Sequence, residues 1–377
     1  LEASTMKNIT VCVFIKNLEP GLLSIADRRV KSLVTVFGGM RIIDYYIAPF
    51  VSLTNAKIFV FAERDAALKD HLVYTYNTGR IRIIEDPNTF DAFSKIVNGR
   101  KRGSFLIMRA DGALIADWVE LIRQVDGLAE GQYSFNARDG YTFGFYVSQG
   151  MLRPLFKDRD GLHGDIDWTW DAVMDFFTSG GKAVHCKARY IPFKTVMEYY
   201  NTHMTLLKRL KDNIQLFSSP LRAVKDESTT RIGNGGFVRN SHISPSCLVE
   251  GMVDRSILFP GVRVGSNAKI IDSIVMENNY IGGNAVVRNA IICENSELFS
   301  KVSPNIGEKA VIGGENISGS NSEYPEFIRD GITLIGRNVE IPRKFRVSEN
   351  CFIASNVDRG VLRGKDRIPA GLSVHAG

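Results

Sequence analysis

No apolar run in the 377 residues approaches the roughly 18 that a membrane-spanning helix requires, so no membrane partner is expected. The first apolar run, 9–15, is interrupted by Thr10 and Cys12 and is not followed by a small-residue cleavage site. It reads as a buried first strand, not a secretory leader. Leu1–Thr5, ahead of Met6, read as an appended remnant outside the fold. Cysteine is scarce and scattered: Cys12, Cys186, Cys247, Cys293 and Cys351, an odd number with no Cys-x-x-Cys pair. That argues against a disulfide framework or zinc site and fits a reducing cytoplasm. A basic tail is also missing. The formal charge is +6, but the lysines and arginines are dispersed without aromatic interleaving. Nucleic acid is therefore not an expected partner, whereas small phosphorylated anions or an acidic partner are.

What is present suffices for two cores, at 44% hydrophobic and 23% charged residues. Toward the N-terminus, β-branched runs at 9–15, 57–62, 80–84, 105–108, 143–147 and 182–186 read as strands. They alternate with helical patterns at 44–53, 65–75, 89–97, 117–125, 169–178 and 196–210. Such alternation predicts a mostly parallel sheet covered on both faces.

Beyond about residue 230 the period changes. A 17-residue shift lays Ser256 on Ser273, Ile257 on Ile274, Leu258 on Val275, Val264 on Ile281, Asn267 on Asn284, Ile270 on Val287 and Val275 on Ile292. Aliphatics step by about six residues within each copy, the spacing of a parallel β-helix with three short strands per turn. The pattern resumes at 339–353, and the Gly/Ser/Asn-rich stretch 313–330 reads as an inserted loop. The expected organisation is an α/β domain over 6–215, a linker over 216–228 containing Pro220, and a β-helix over 229–377.

Phosphoryl and nucleotidyl transfer require backbone N–H groups around the phosphates, a divalent cation, and carboxylates to hold it. The turn after the first strand reads Ile15-Lys-Asn-Leu-Glu-Pro-Gly-Leu-Leu. It has one glycine, Gly21, behind Pro20, which lacks an N–H, and Glu19 repels phosphate. This is a poor phosphate cradle.

Several segments nevertheless carry a family likeness. Val34-Thr-Val-Phe-Gly-Gly-Met-Arg-Ile-Ile-Asp-Tyr resembles Val-Pro-Phe-Gly-Gly-x-Arg-Ile-Ile-Asp-Phe of the bacterial ADP-glucose pyrophosphorylases (glucose-1-phosphate adenylyltransferases). Met108-Arg-Ala-Asp-Gly-Ala-Leu-Ile-Ala-Asp-Trp resembles their Gly-Asp-His-x-Tyr-x-x-Asp-Tyr. Thr142-Phe-Gly-Phe-Tyr-Val, Asp167-Trp-Thr-Trp-Asp and the segment 188–204 are further matches, and 242–251 resembles the start of the family's β-helix. The resemblance covers nearly the whole chain. It implies a Rossmann-like nucleotidyltransferase domain followed by a left-handed parallel β-helix of hexapeptide repeats.

It also implies site residues. Asp111 and Asp167 take the places of metal-facing carboxylates for Mg2+. Asp91, with Ala92, and Gly144 take nucleotide-site places, and Asp117 either shares the site or caps a helix. Arg28, Arg29, Lys31 and Arg41 lie near the junction where the family binds phosphorylated sugar effectors, and guanidinium groups suit phosphate. Much of the apparatus is absent. There is no Gly-Gly-x-Gly-x-Arg loop, no Glu-Lys-Pro element, and Pro192-Phe-Lys replaces Asp-Ile-Gly. Val13-Phe-Ile-Lys-Asn-Leu-Glu is similar to the start of the family's non-catalytic, regulatory-type subunit. The expectation is a regulatory or structural subunit in glycogen synthesis, assembled with a catalytic chain or with itself, as a tetramer. One alternative is an active enzyme making ADP-glucose and pyrophosphate from ATP and glucose 1-phosphate, using Lys16, Arg28, Arg29 or Lys31 for phosphate. The other is a hexapeptide-repeat acyltransferase, for which His242 is the candidate base; a surface histidine is the simpler reading.

Overall fold

The computed structural model describes residues 8–15, 19–27, 30–37, 39–85, 89–100, 102–157, 181–209, 229–295 and 303–376. The expected helix 169–178 and linker 216–228 lie outside the described residues, as do Lys16, Arg28, Arg29 and Asp167.

The N-terminal half is built on strands β1 (Ile9–Ile15), β2 (Thr35–Val36), β3 (Met40–Arg41), β4 (Lys57–Phe61), β5 (Ile81–Ile84), β6 (Ser104–Ala110), β7 (Gly112–Ala116), β8 (Gln132–Asn136), β9 (Thr142–Ser148), β10 (Lys182–His185) and β11 (Ala188–Pro192). Between them lie helices α1 (Asp44–Leu53), α2 (Ala66–Tyr76), α3 (Thr89–Asn98), α4 (Trp118–Asp126), α5 (Gln149–Lys157) and α6 (Val196–Lys208). Seven strands form one sheet in the order β10-β8-β9-β6-β1-β4-β5. β1 runs parallel to β4 and β6, and β9 is antiparallel to both of its neighbours. The sheet is mostly parallel, as the alternation of strand and helix patterns predicts. β7, β8, β11 and α5 are additions to that reading.

The core explains the runs. Val11 and Val13 of β1 face one cluster with Ile58 and Val60, while Cys12 faces the other with Phe59 and Phe61. Alternate faces of a buried strand each find an apolar partner, so the run is continuous and not alternating.

The C-terminal half winds three parallel sheets, of four, seven and seven strands, into a β-helix. The 17-residue register stands: Ile257 pairs with Ile274, Val264 with Ile281, Ile270 with Val287 and Val275 with Ile292. The matched serines have a role of their own. Ser273 N–H donates to Ser256 Oγ (3.1 Å), and Ala290 N–H donates to Ser273 Oγ (3.2 Å), so each serine satisfies a backbone donor of the next coil. Residues 290–292 pair directly with 333–335, so the stretch 313–330 lies outside the coil as expected.

Helix α6 joins the halves. Tyr200 Oη donates to the Asp272 carbonyl of the β-helix (2.6 Å), and Tyr199 Oη donates to the Thr35 carbonyl (2.6 Å). Phe259, Met276 and Cys293 of the β-helix belong to the same apolar cluster as α6 and β1.

Candidate functional site

In open α/β sheets ligands bind beyond the carboxyl ends of the strands. Asp111 sits there, directly after the central strand β6, and is 8% exposed. Its surroundings decide its chemistry. Tyr190 Oη donates to Oδ1 at 2.8 Å, and Tyr141 Oη donates to Oδ1 at 3.1 Å. Arg109 Nε lies 3.2 Å from Oδ2. The two tyrosine rings stack with centroids 3.5 Å apart and planes 9° from parallel. Tyr46 Oη closes the other side by donating to the Gly112 carbonyl at 2.9 Å. Burial, then the Asp111 charge, push the Tyr46, Tyr141 and Tyr190 hydroxyls up, so all three stay protonated donors.

Local sequence makes this arrangement reachable. β7 pairs antiparallel with β11, setting Leu114 opposite Tyr190 and Gly112 opposite Pro192. A Cβ at Gly112 would stand 2.7 Å from the Tyr190 ring, so glycine is what admits the ring beside Asp111. This donor set does not fit a divalent cation. Both carboxylate oxygens already have partners, and the Arg109 guanidinium supplies the positive charge beside Oδ2. Asp167, the expected second carboxylate, lies outside the described residues.

Among the described residues of the turn after β1, the backbone is packed against the protein. Pro20–Ile25 forms a 3-10 turn instead of an open loop. A Cβ on Gly21 would meet the Lys194 carbonyl at 2.4 Å, so the turn's glycine faces the protein's own backbone. Gly21→Ala is expected to lower stability by about 1–3 kcal/mol, read as a lower melting temperature, because rigid backbone must move. Gly144 has a similar explanation. A Cβ there would lie 2.9 Å from the Ile107 carbonyl across the β6–β9 pairing.

Asp91 stands in the first turn of α3, half-buried, and Ala92 behind it is buried beside Phe93. Phe93 meets Phe14 and Phe61 edge-on at 5.9 and 5.8 Å, and Phe14 stacks on Phe61 at 4.6 Å. Asp117 caps α4, accepting from Glu120 N–H at 3.1 Å. Asp44 of the Ile-Ile-Asp motif ties three elements together. It accepts from the Arg41 N–H (2.9 Å), His71 Nε2 (2.7 Å) and Tyr76 Oη (2.7 Å). Burial alone would raise its pKa, but these bonds, His71's first, outweigh it and hold the carboxyl below its usual range.

Of the expected anion-binding cations, Lys31 and Arg41 are described, and they have different acidic neighbours. Lys31 is 1% exposed with Nζ 3.1 Å from Glu19 Oε2. Arg41 acts on Glu277 of the β-helix. Burial and then Glu294 push the Glu277 carboxyl up to about 7, against the pull of Thr35 and Arg41. A carboxyl raised from about 4.5 contributes stability below that pH, and the contribution is lost as pH rises through 7. Glu277→Gln is therefore expected to flatten the fall in melting temperature between pH 4.5 and 7. A cleft of about 670 Å3 lies nearby between the halves, lined by Glu19, Asp27, Tyr324, Phe352, Asn356 and His375; neither Lys31 nor Arg41 lines it. His242 is half-buried in the first coil with Nε2 3.4 Å from Ser244 Oγ.

Sequence reasoning reached Asp111 but not Arg109, Tyr141 or Tyr190. The available signal was the pair of tyrosines flanking motifs already matched, Tyr141 before Thr142-Phe-Gly and Tyr190 inside Ala188-Arg-Tyr-Ile-Pro.

Comparison with known proteins agrees with this architecture. The family described as GlmU-like, C-terminal hexapeptide, matches residues 220–323. A glucose-1-phosphate adenylyltransferase of Acetivibrio thermocellus is 31% identical over 169 residues, 42% of this chain and 36% of that protein. The glycogen biosynthesis protein GlgD of Bacillus subtilis is 28% identical over 140 residues, 35% of this chain and 39% of that protein. GlgD of Geobacillus stearothermophilus is 39% identical over 69 residues, 18% of this chain and 20% of that protein. The chain thus spans little more than a third of the length of the first two curated relatives. The seven-stranded α/β sheet fits the nucleotidyltransferase fold, and the parallel sheets fit a hexapeptide β-helix.

Proposed function

We propose that this chain is a non-catalytic, regulatory or structural subunit related to the glucose-1-phosphate adenylyltransferases, acting in glycogen biosynthesis beside a catalytic chain. One observation carries the reading: the carboxylate that would hold Mg2+ is bound by Arg109, Tyr141 and Tyr190. The glycine-turn filled by Lys194 supports it. A metal bridging nucleotide phosphates needs carboxylate oxygens and phosphate oxygens together, and among the described residues neither half of that arrangement is offered. In this reading the hexapeptide coil winds left-handed, the assembly is a cytoplasmic oligomer, and Asp111 positions β7 and β11 instead of a cation. Lys31, paired with Glu19, is not part of an effector site.

The test is pyrophosphate release from ATP and glucose 1-phosphate with Mg2+. The chain is assayed alone, then mixed with a glucose-1-phosphate adenylyltransferase subunit from the same organism. No turnover alone, with a changed rate or effector response in the mixture, is expected. Turnover by the chain alone, lost in Asp111→Asn, would establish the active-enzyme alternative.

A further inference from the structure

One outward row of the β-helix changes character in its last coils. Lys269, Val286, Val311, Arg346 and Arg367 follow one another in register on one sheet. Two residues before the last three of these stand Lys309, Lys344 and Lys365. Lys309 and Lys344 stack in equivalent places, Lys309 N–H donating to the Gly283 carbonyl and Lys344 N–H to that of Glu308, while in the last coil Gly364 takes the left-handed corner and Lys365 follows it, its N–H donating to the Leu362 carbonyl. Lys309 and Lys344 thus form one column and Arg346 and Arg367 an adjacent one, with Lys365 beside its end and successive coils about 4.8 Å apart. All five are exposed. Among the described residues none of them has a carboxylate partner; Glu308, beside Lys309, is held by Arg343 at 3.4 Å.

Lys309 and Lys344 occupy left-handed backbone at φ 59° and 60°. In the preceding coils that position belongs to Asn267 and Asn284, at 59° and 58°. Asparagine tolerates this conformation far better than lysine does. Arg346 and Arg367 face outward directly in register, where like charges repel.

We propose that this grid of five cations docks an acidic face of a partner protein. The chain's own formal charge of +6 disfavours a second copy laid against the same face. The row continues upward through half-buried Val311 and Val286. An apolar strip beside a charged one is the anatomy of a protein interface and offers nothing to a phosphate backbone. The inference is independent of the sugar-nucleotide reading, since no catalytic or nucleotide residue belongs to the grid.

The full-length chain is tested with poly-L-glutamate and with duplex DNA of equal charge, at low and physiological salt. The variants are Lys309→Asn with Lys344→Asn, which restores the residue of the earlier coils, and that pair combined with Arg346→Thr and Arg367→Thr. Poly-L-glutamate is expected to bind, to weaken with salt, and to lose about tenfold or more in the fourfold variant. Melting temperatures are expected to hold or rise. Failure to bind poly-L-glutamate, or equally tight binding by the variants, overturns the proposal. Tighter binding of DNA through the same residues replaces it with a nucleic-acid surface. Self-association of the chain that the substitutions abolish replaces it with a second copy. A melting temperature lowered by the asparagine pair alone would assign the lysines to the fold and overturn it as well.

Discussion

Replacing His203 with alanine is expected to lower stability by about 3–5 kcal/mol, measured by denaturant or thermal unfolding. The imidazole is fully buried on α6. Nδ1–H donates to the Tyr199 carbonyl at 2.7 Å, and Nε2 accepts the Phe37 N–H at 3.0 Å. Phe37 holds φ at 48°, so this bond fixes a strained residue next to the β2–β3 hairpin. The ring also packs against Phe193 and Tyr199, with centroids 5.7 and 4.2 Å away. Alanine leaves the buried Phe37 N–H unpaired and opens a cavity at the joint between the halves.

The same residue sets an acid limit. Burial pushes the His203 pKa down from 6.5 to about 4, despite the Tyr199 carbonyl. A histidine lowered on folding contributes stability above pH 6.5, and this is lost as pH falls through 4. The loss is on the order of 3 kcal/mol. His203→Phe should remove the acid-side slope while keeping the ring contacts. Its sign is opposite to that of Glu277, so the two variants separate the two arms of the pH profile.

The second large effect concerns Asp111. Asp111→Ala is expected to destabilise by about 2–4 kcal/mol, because it removes the acceptor that the Tyr141 and Tyr190 hydroxyls and the Arg109 guanidinium share. Asp111→Asn keeps the shape and some acceptor capacity and should cost about half as much. In an intact metal site the sign reverses: removing a carboxylate from a cluster of like charges relieves repulsion in the metal-free protein.

Much of the architecture is written locally. The 17-residue register of the β-helix follows from side chains that repeat because each coil must cover the one before it. The apolar runs of β1, β4 and β6 and the cap of α4 at Asp117 are equally local. β7 and β11 escaped notice because Gly-Ala-Leu-Ile-Ala has no two-residue alternation and its partner lies more than 70 residues on. The setting of Asp111 escaped for the same reason. Its place after β6 is a motif property, but its partners Tyr141 and Tyr190 are 30 and 79 residues away. Only the pairing of β7 with β11 brings the second ring over the first. The pairing of Lys31 with Glu19 is likewise a tertiary contact, one that a cation twelve residues away does not display in the sequence.

The account's central claim is that Asp111 is a structural acceptor and not a metal ligand. Thermal unfolding of the wild type and of Asp111→Asn, each with and without millimolar Mg2+, tests it most directly. The account predicts a lower melting temperature for the variant and no Mg2+-dependent shift in either protein. A Mg2+-dependent rise in the wild type that disappears in Asp111→Asn would contradict it.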